Sequence, residues 1–178
     1  MTDMDENAYR LFAEQNFGLD FDQMVRDATA SQDIVVRGGL SEVFAVWTNP
    51  DARRIFACER DNGERLVRCE FVAGGREISE SRWKNQWVSR KETDVRVIRP
   101  DKLIVLQSVT EVRHTEQLFF TNERIEFKAA PEDSTVIFWS VQVATTLPAK
   151  LDNYDRLMKS QLDRFANYLK GCDPKSAP

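Results

Sequence analysis

Three features of this 178-residue sequence predict an α+β fold. Between residues 66 and 144, runs of β-forming residues recur between turn signals. They alternate apolar with polar at period two, as in an antiparallel sheet with one buried face. From residue 147 the period changes. Leu147, Leu151, Tyr154, Met158, Leu162, Phe165 and Leu169 recur every three or four residues, which predicts one long amphipathic helix. The other helical segments precede the sheet rather than alternating with its strands, and that segregation is α+β rather than α/β.

In chain order, residues 1–32 read as a helical extension. Ala8, Leu11 and Phe12 have helical spacing, as do Phe21, Met24, Val25 and Ala28. Phe17-Gly18 separates the two stretches, and Asp20 can cap the second. Such short helices are marginal alone, so their apolar faces need a partner. That partner is either the body of the same chain, as core or as a lid over a pocket, or a second copy, which makes the extension a candidate homodimer contact. Residues 33–37 read as a short strand, and Gly38-Gly39 permits a sharp change of direction. Ser41 starts a short helix through Trp47. Asn49-Pro50-Asp51 opens a second, with Asn as N-cap, Pro in the first turn and Asp at the positive helix end.

Strands follow at 66–72, 76–82, 87–100, 103–109, 118–130 and 135–144. Turn signals at Ala73-Gly74-Gly75, Asp101-Lys102 and 131–134 punctuate them. Ile125, Phe127 and Ala129 share one face, as do Ile137, Trp139, Val141 and Val143. The closing helix has Gly171 as its C-terminal cap and Pro174 beyond it.

Composition narrows the function classes. The chain is 42% hydrophobic and 30% charged, with a net charge of −4, which argues against a general nucleic-acid surface. No stretch approaches the roughly 20 apolar residues of a membrane span. The first residues, Met-Thr-Asp-Met-Asp-Glu, lack the basic-then-apolar order of a secretory signal. The three cysteines, Cys58, Cys69 and Cys172, match no metal or redox spacing, and reduced thiols in a cytoplasmic protein are expected. His114 is the single histidine, so a His-rich metal site is excluded.

Four runs in order resemble a known family. Residues 40–51, Leu-Ser-Glu-Val-Phe-Ala-Val-Trp-Thr-Asn-Pro-Asp, resemble the helix that presses on the sheet in START-like proteins of the SRPBCC superfamily. Residues 70–76, Glu-Phe-Val-Ala-Gly-Gly-Arg, resemble its Gly-Gly strand start. Residues 97–103 match its Ile-x-Pro-x-x-Leu junction. Thr135-Val136 and the long final helix stand where that superfamily has them. The subgroup most similar is the one related to the activator of the heat-shock protein 90 ATPase. Ile55-Phe56-Ala57 replaces the aromatic pair that usually ends the second helix.

The resemblance spans roughly residues 33–170. It implies a helix-grip fold, with a curved antiparallel sheet around the long C-terminal helix and a cavity between them. The division that follows is a helical extension over 1–32, a START-like domain over 33–172 and a flexible tail over 173–178. In that superfamily the cavity commonly holds an apolar or amphipathic small molecule.

Candidate cavity residues are the aromatic and flexible side chains on inward elements: Trp47, Phe56, Trp83, Trp87, Phe127, Trp139, Tyr154, Met158 and Phe165. Each also serves as core material, because burying an aromatic stabilises by a few kcal/mol. Arg82, Gln107, Tyr154 and Gln161 are candidate polar anchors. Support for catalysis is thin, since the sequence has no nucleophile elbow, phosphate loop or metalloprotease helix. Glu80 with Arg82 could imitate a cyclase-like acid, or form a structural ion pair. Glu77, Glu80, Glu92 and Asp94 read as a solvated face. Three functions remain open: a non-catalytic binder of a small apolar or amphipathic molecule with no cofactor, a chaperone-activator-like interaction module, and a cyclase-like enzyme.

Overall fold

The computed structural model describes residues 25–58, 63–83, 86–113, 115, 117–149 and 154–171. The expected helices before residue 25, and Leu151, His114 and Cys172, lie outside the described residues. Seven strands form one antiparallel sheet in the order β1-β7-β6-β5-β4-β3-β2. They are β1 (Val25–Arg37), β2 (Glu64–Cys69), β3 (Arg76–Trp83), β4 (Gln86–Arg99), β5 (Leu103–Val112), β6 (Leu118–Ala130) and β7 (Ser134–Ala149). Two short helices, α1 (Leu40–Thr48) and α2 (Pro50–Phe56), carry the chain from β1 at one edge to β2 at the other. The long helix α3 (Tyr154–Leu169) follows β7.

The strand-rich middle and the final helix stand where the sequence predicts them. Strand ends shift by up to five residues, and two differences change the type of element. Val25–Arg37 is one continuous strand, so residues 25–32, expected in the helical extension, lengthen the short strand instead. Ala28, Ala30, Gln32, Ile34 and Val36 are its more buried residues, a period-two pattern that continues the one around Ile34. Antiparallel pairing with β7, from Ala28 opposite Val143 to Arg37 opposite Ser134, overrides the weak helical spacing of the small residues there. Leu147, expected in the final helix, belongs to β7.

The corner after β1 is built as the glycines imply. Gly38 has φ 133°, a conformation open to glycine. Its N–H donates to the Asp133 carbonyl at 2.8 Å, and its own carbonyl accepts from Thr135 Oγ1 at 2.9 Å. These bonds tie the start of α1 to the β6–β7 turn. Asn49 Oδ1 caps α2 by accepting from the N–H groups of Asp51 and Ala52 at 2.9 and 3.0 Å.

One face of the sheet is the core face. Ile104 and Leu106, Ile125 and Phe127, and Ile137, Trp139 and Val141 alternate inward along β5, β6 and β7, and all are buried. Val43, Phe44 and Trp47 of α1 and Met158, Leu162 and Phe165 of α3 close over them. The rings of Trp47, Phe56 and Phe165 meet edge-on or tilted, with centroids 4.7–5.3 Å apart. Phe127 meets Phe44 at 5.0 Å and Trp47 at 5.8 Å. This cluster pins the C-terminal half of α3 to α1 and α2. The N-terminal half, from Tyr154 to Gln161, lies over the sheet where no such plug fills the space.

A cavity with one polar and one apolar wall

A cavity of about 260 Å³ lies beneath that N-terminal half. Its apolar side is formed by Trp47, Leu106, Ile125, Trp139, Val141, Leu157 and Met158. Its polar side comes from the inward faces of β2, β3, β4 and β6: Glu64, Glu77, Ser79, Ser81, Ser89, Lys91, Thr93, Thr121 and Glu123. Register explains the grouping. Lys91 stands opposite Ser79 on β3 and Thr110 on β5, and Thr93 opposite Glu77 and Ser108. Ser108 stands opposite Thr121, and Leu106 opposite Glu123. Each of these positions has the inward parity.

Two ion pairs organise the polar wall. Lys91 reaches across β5 to Glu123, with Nζ 2.8 Å from Oε1. Thr121 Oγ1 and Ser108 Oγ lie 3.2 and 3.3 Å from the same oxygen and 2.6 Å from each other, so one hydroxyl donates to the other and the second donates to Glu123. The Glu123 side chain is 4% exposed and that of Lys91 36%. Lys91 is half-buried and lines the cavity. Burial is the largest influence on each group and opposes its charge. The partner charge and the hydrogen bonds together outweigh it, leaving the Lys91 pKa above and the Glu123 pKa below its ordinary value. Tyr154, on the first turn of α3, has its pKa raised by burial; the Lys91 charge opposes this and the Glu123 charge adds to it.

The second pair is Arg53 with Glu77, joined side-on through the Nε–Nη2 edge of the guanidinium at 2.6 and 2.7 Å. Cys69 Sγ also donates to Glu77, at 3.1 Å. Burial, reinforced by the Glu64 and Glu77 charges, pushes the Cys58 thiol up to about 12. Burial with Glu77 does the same for Cys69. Both are free cysteines. As neutral thiols at pH 7 they are poor nucleophiles. The described residues contain no group of three His, Cys, Asp or Glu placed to hold a metal ion.

The structure gathers some of the expected site residues and separates others. Trp47, Trp139, Tyr154, Met158 and Gln161 line the cavity. Phe56, Phe127 and Phe165 do not: they are spent on the ring cluster that plugs the other end. Gln107 is exposed on the opposite face, where it accepts from Arg96 Nε at 2.8 Å and donates to Asn122 at 2.9 Å. Its neighbour Leu106 takes the inward position. Arg82 lies on that outer face too, paired with Glu80 at 2.7 Å, so this couple is an ion pair and not a cavity acid. Trp83 and Trp87 belong to β3 and β4, and their side chains lie outside the described residues. Glu77 and Glu80, expected on a solvated face, are both buried, Glu77 against Arg53 and Glu80 against Arg82.

Parity was the signal for the residues missed. Counting back in twos from Ile125 puts Glu123 and Thr121 inward. Counting back from Val95 does the same for Thr93 and Lys91.

Comparison with solved structures decides the architecture. A protein of Rhizobium leguminosarum has a TM-score of 0.69 and 19% identity, over 82% of this chain and 95% of its own. Truncated norcoclaurine synthase from Thalictrum flavum has a TM-score of 0.57 and 11% identity, over 82% and 94%. Ara h 8.0201 has a TM-score of 0.59 and 11% identity, over 82% and 99%. The fold is helix-grip. No family model matches the chain, and no curated protein matches it. At these identities the likeness concerns the helix-grip fold alone, and function has to come from the cavity.

Proposed function

We propose that the protein binds a small amphipathic molecule in the cavity between the sheet and α3, without catalysing its conversion. The observation that carries this reading is the division of one cavity into an apolar wall at Trp139 and Met158 and a polar wall at Lys91 and Glu123. Ligand pockets are mostly apolar with a few placed polar groups. At about 260 Å³ the cavity is near the lower end of the roughly 300–1,000 Å³ typical of such sites, which favours a compact ligand. The direction of the pKa shifts also favours binding over acid–base chemistry. A catalytic acid or base works best with a pKa near the working pH, and the Lys91–Glu123 pair is shifted away from neutrality on both sides.

Native mass spectrometry of freshly purified full-length protein, followed by solvent extraction, tests the reading. The expected result is a reproducible added mass that is lost on denaturation. A clean apo mass, together with no binding from a panel of small aromatic and aliphatic amphiphiles, would overturn it.

The finer kinship with the activator of the heat-shock protein 90 ATPase belongs to the same proposal. Its support is the sequence runs at 40–51 and 97–103. A cytoplasmic setting is supported by the free thiols of Cys58 and Cys69.

A further inference from the structure

Every polar contact of Glu123, with Lys91, Thr121 and Ser108, is made through Oε1. Among the described residues, Oε2 of this cavity-lining carboxylate has no hydrogen-bond partner. Lys91 is in the converse position. An ammonium carries three N–H groups, and Glu123 is the one described residue to which Lys91 donates. The Tyr154 hydroxyl makes no hydrogen bond to a described residue, and it is near enough to both for their charges to act on it. All three side chains line the one cavity, and each has hydrogen-bonding capacity to spare. Water can fill the position, but it has no apolar body to cover the Trp139 side.

We propose that this end of the cavity is a hydroxyl subsite, recognising an uncharged alcohol or phenol. Its O–H donates to Glu123 Oε2, while its oxygen accepts from Lys91 Nζ or the Tyr154 hydroxyl. The inference rests on the cavity-binding reading and narrows its ligand class. Other headgroups fit less well. A carboxylate would bring a second negative charge against Glu123, and an ammonium a second positive charge against Lys91. A ketone has no proton for Oε2. The cavity lining carries three acidic and three basic side chains, so it offers no surplus charge to neutralise an ionic ligand.

Calorimetric titration of the full-length protein with 2-naphthol and with 2-methylnaphthalene tests this. The two probes have nearly the same shape, and the methyl compound is the more hydrophobic. A hydroxyl subsite predicts 2-naphthol the tighter by about tenfold or more, because a site built to hydrogen-bond a hydroxyl rejects its apolar analogue. The double variant K91M/E123L, which removes the pair without leaving a lone buried charge, should reverse the order. If that variant fails to fold, E123Q serves: it keeps the shape but not the charge, and should lower the 2-naphthol preference several-fold. Equal binding of the two probes to the unmodified protein would overturn the hydroxyl subsite and leave cavity binding standing. Binding of neither would overturn the hydroxyl subsite, and with a clean apo mass and no binding from the amphiphile panel it would overturn cavity binding as well.

Discussion

Arg53 Nε and Nη2 donate to the two carboxylate oxygens of Glu77 at 2.6 and 2.7 Å, and the side chains are 5% and 7% exposed. The guanidinium also lies 3.7 Å from the Phe71 ring centroid. The pair clamps α2 to β3 beside the cavity. Breaking a buried pair from one side leaves a charge without a counter-ion, at a cost of about 3–5 kcal/mol. Arg53→Met should lower the urea midpoint accordingly. The double variant R53M/E77L should recover much of the loss. If R53M unfolds at the same midpoint as the unmodified protein, the clamp contributes nothing.

Alkaline pH should weaken the fold before it reaches the ordinary lysine range. Burial raises Cys58 and Cys69 from 9.0 to about 12, with help from neighbouring carboxylates. Between those values the unfolded chain has lost thiol protons that the folded chain keeps. Stability therefore falls as pH rises from 9 toward 12. The raised Lys91 acts in the same direction above its unfolded pKa. The lowered Glu123 acts at the other end: its contribution is present above the unfolded carboxylate pKa and is lost as pH falls through its folded value. Replacing both cysteines by alanine should flatten the alkaline fall, read as melting temperature against pH. In a Cys172→Ser background, thiol labelling at pH 8 should be slow in the folded protein and fast in urea.

Legibility in the sequence followed burial. The strands from 103 to 144 and the Met158–Leu162–Phe165 stripe carry strong apolar periodicity because both sides of that contact are core. β4 was harder. Ser89 to Asp94 is polar on both faces, since one face lines a polar cavity wall and the other bears Arg90, Glu92 and Asp94 in ion pairs. Composition cannot tell those faces apart; parity from Val95 can. Gln107 shows the converse: its apolar neighbours suggested a buried anchor, but Leu106 had already taken the inward position. The Arg53–Glu77 pair joins residues 24 apart, and nothing local in either segment announces the other.

Met158 and Phe165 lie on the same helix face, 3% and 0% exposed, yet only Met158 borders the cavity. Truncating either to alanine should destabilise by about 2–5 kcal/mol. Their effects on binding should part. Met158→Ala enlarges the cavity and should change the affinity for 2-naphthol and favour bulkier naphthols. Phe165→Ala opens a void beside Trp47 and Phe56 and should leave that affinity within about twofold. Equal effects on binding would mean that the plugged end and the open end form one continuous space.

Two truncations separate the role of β1 from that of the residues before it. Removal of 1–24 leaves every pair of the β1–β7 ladder in place. Removal of 1–31 strips Val25 to Ser31 from the edge of the sheet and uncovers the β7 backbone from Ser140 to Ala144. An uncovered strand edge loses ladder hydrogen bonds and invites pairing with another chain. The longer deletion should therefore melt several degrees lower and aggregate on heating. Size-exclusion chromatography with light scattering, run on both, reads the assembly state as well. A dimer built through the extension dissociates already with the shorter deletion. If the longer deletion melts with the full-length protein, residues 25–31 do not hold the sheet edge.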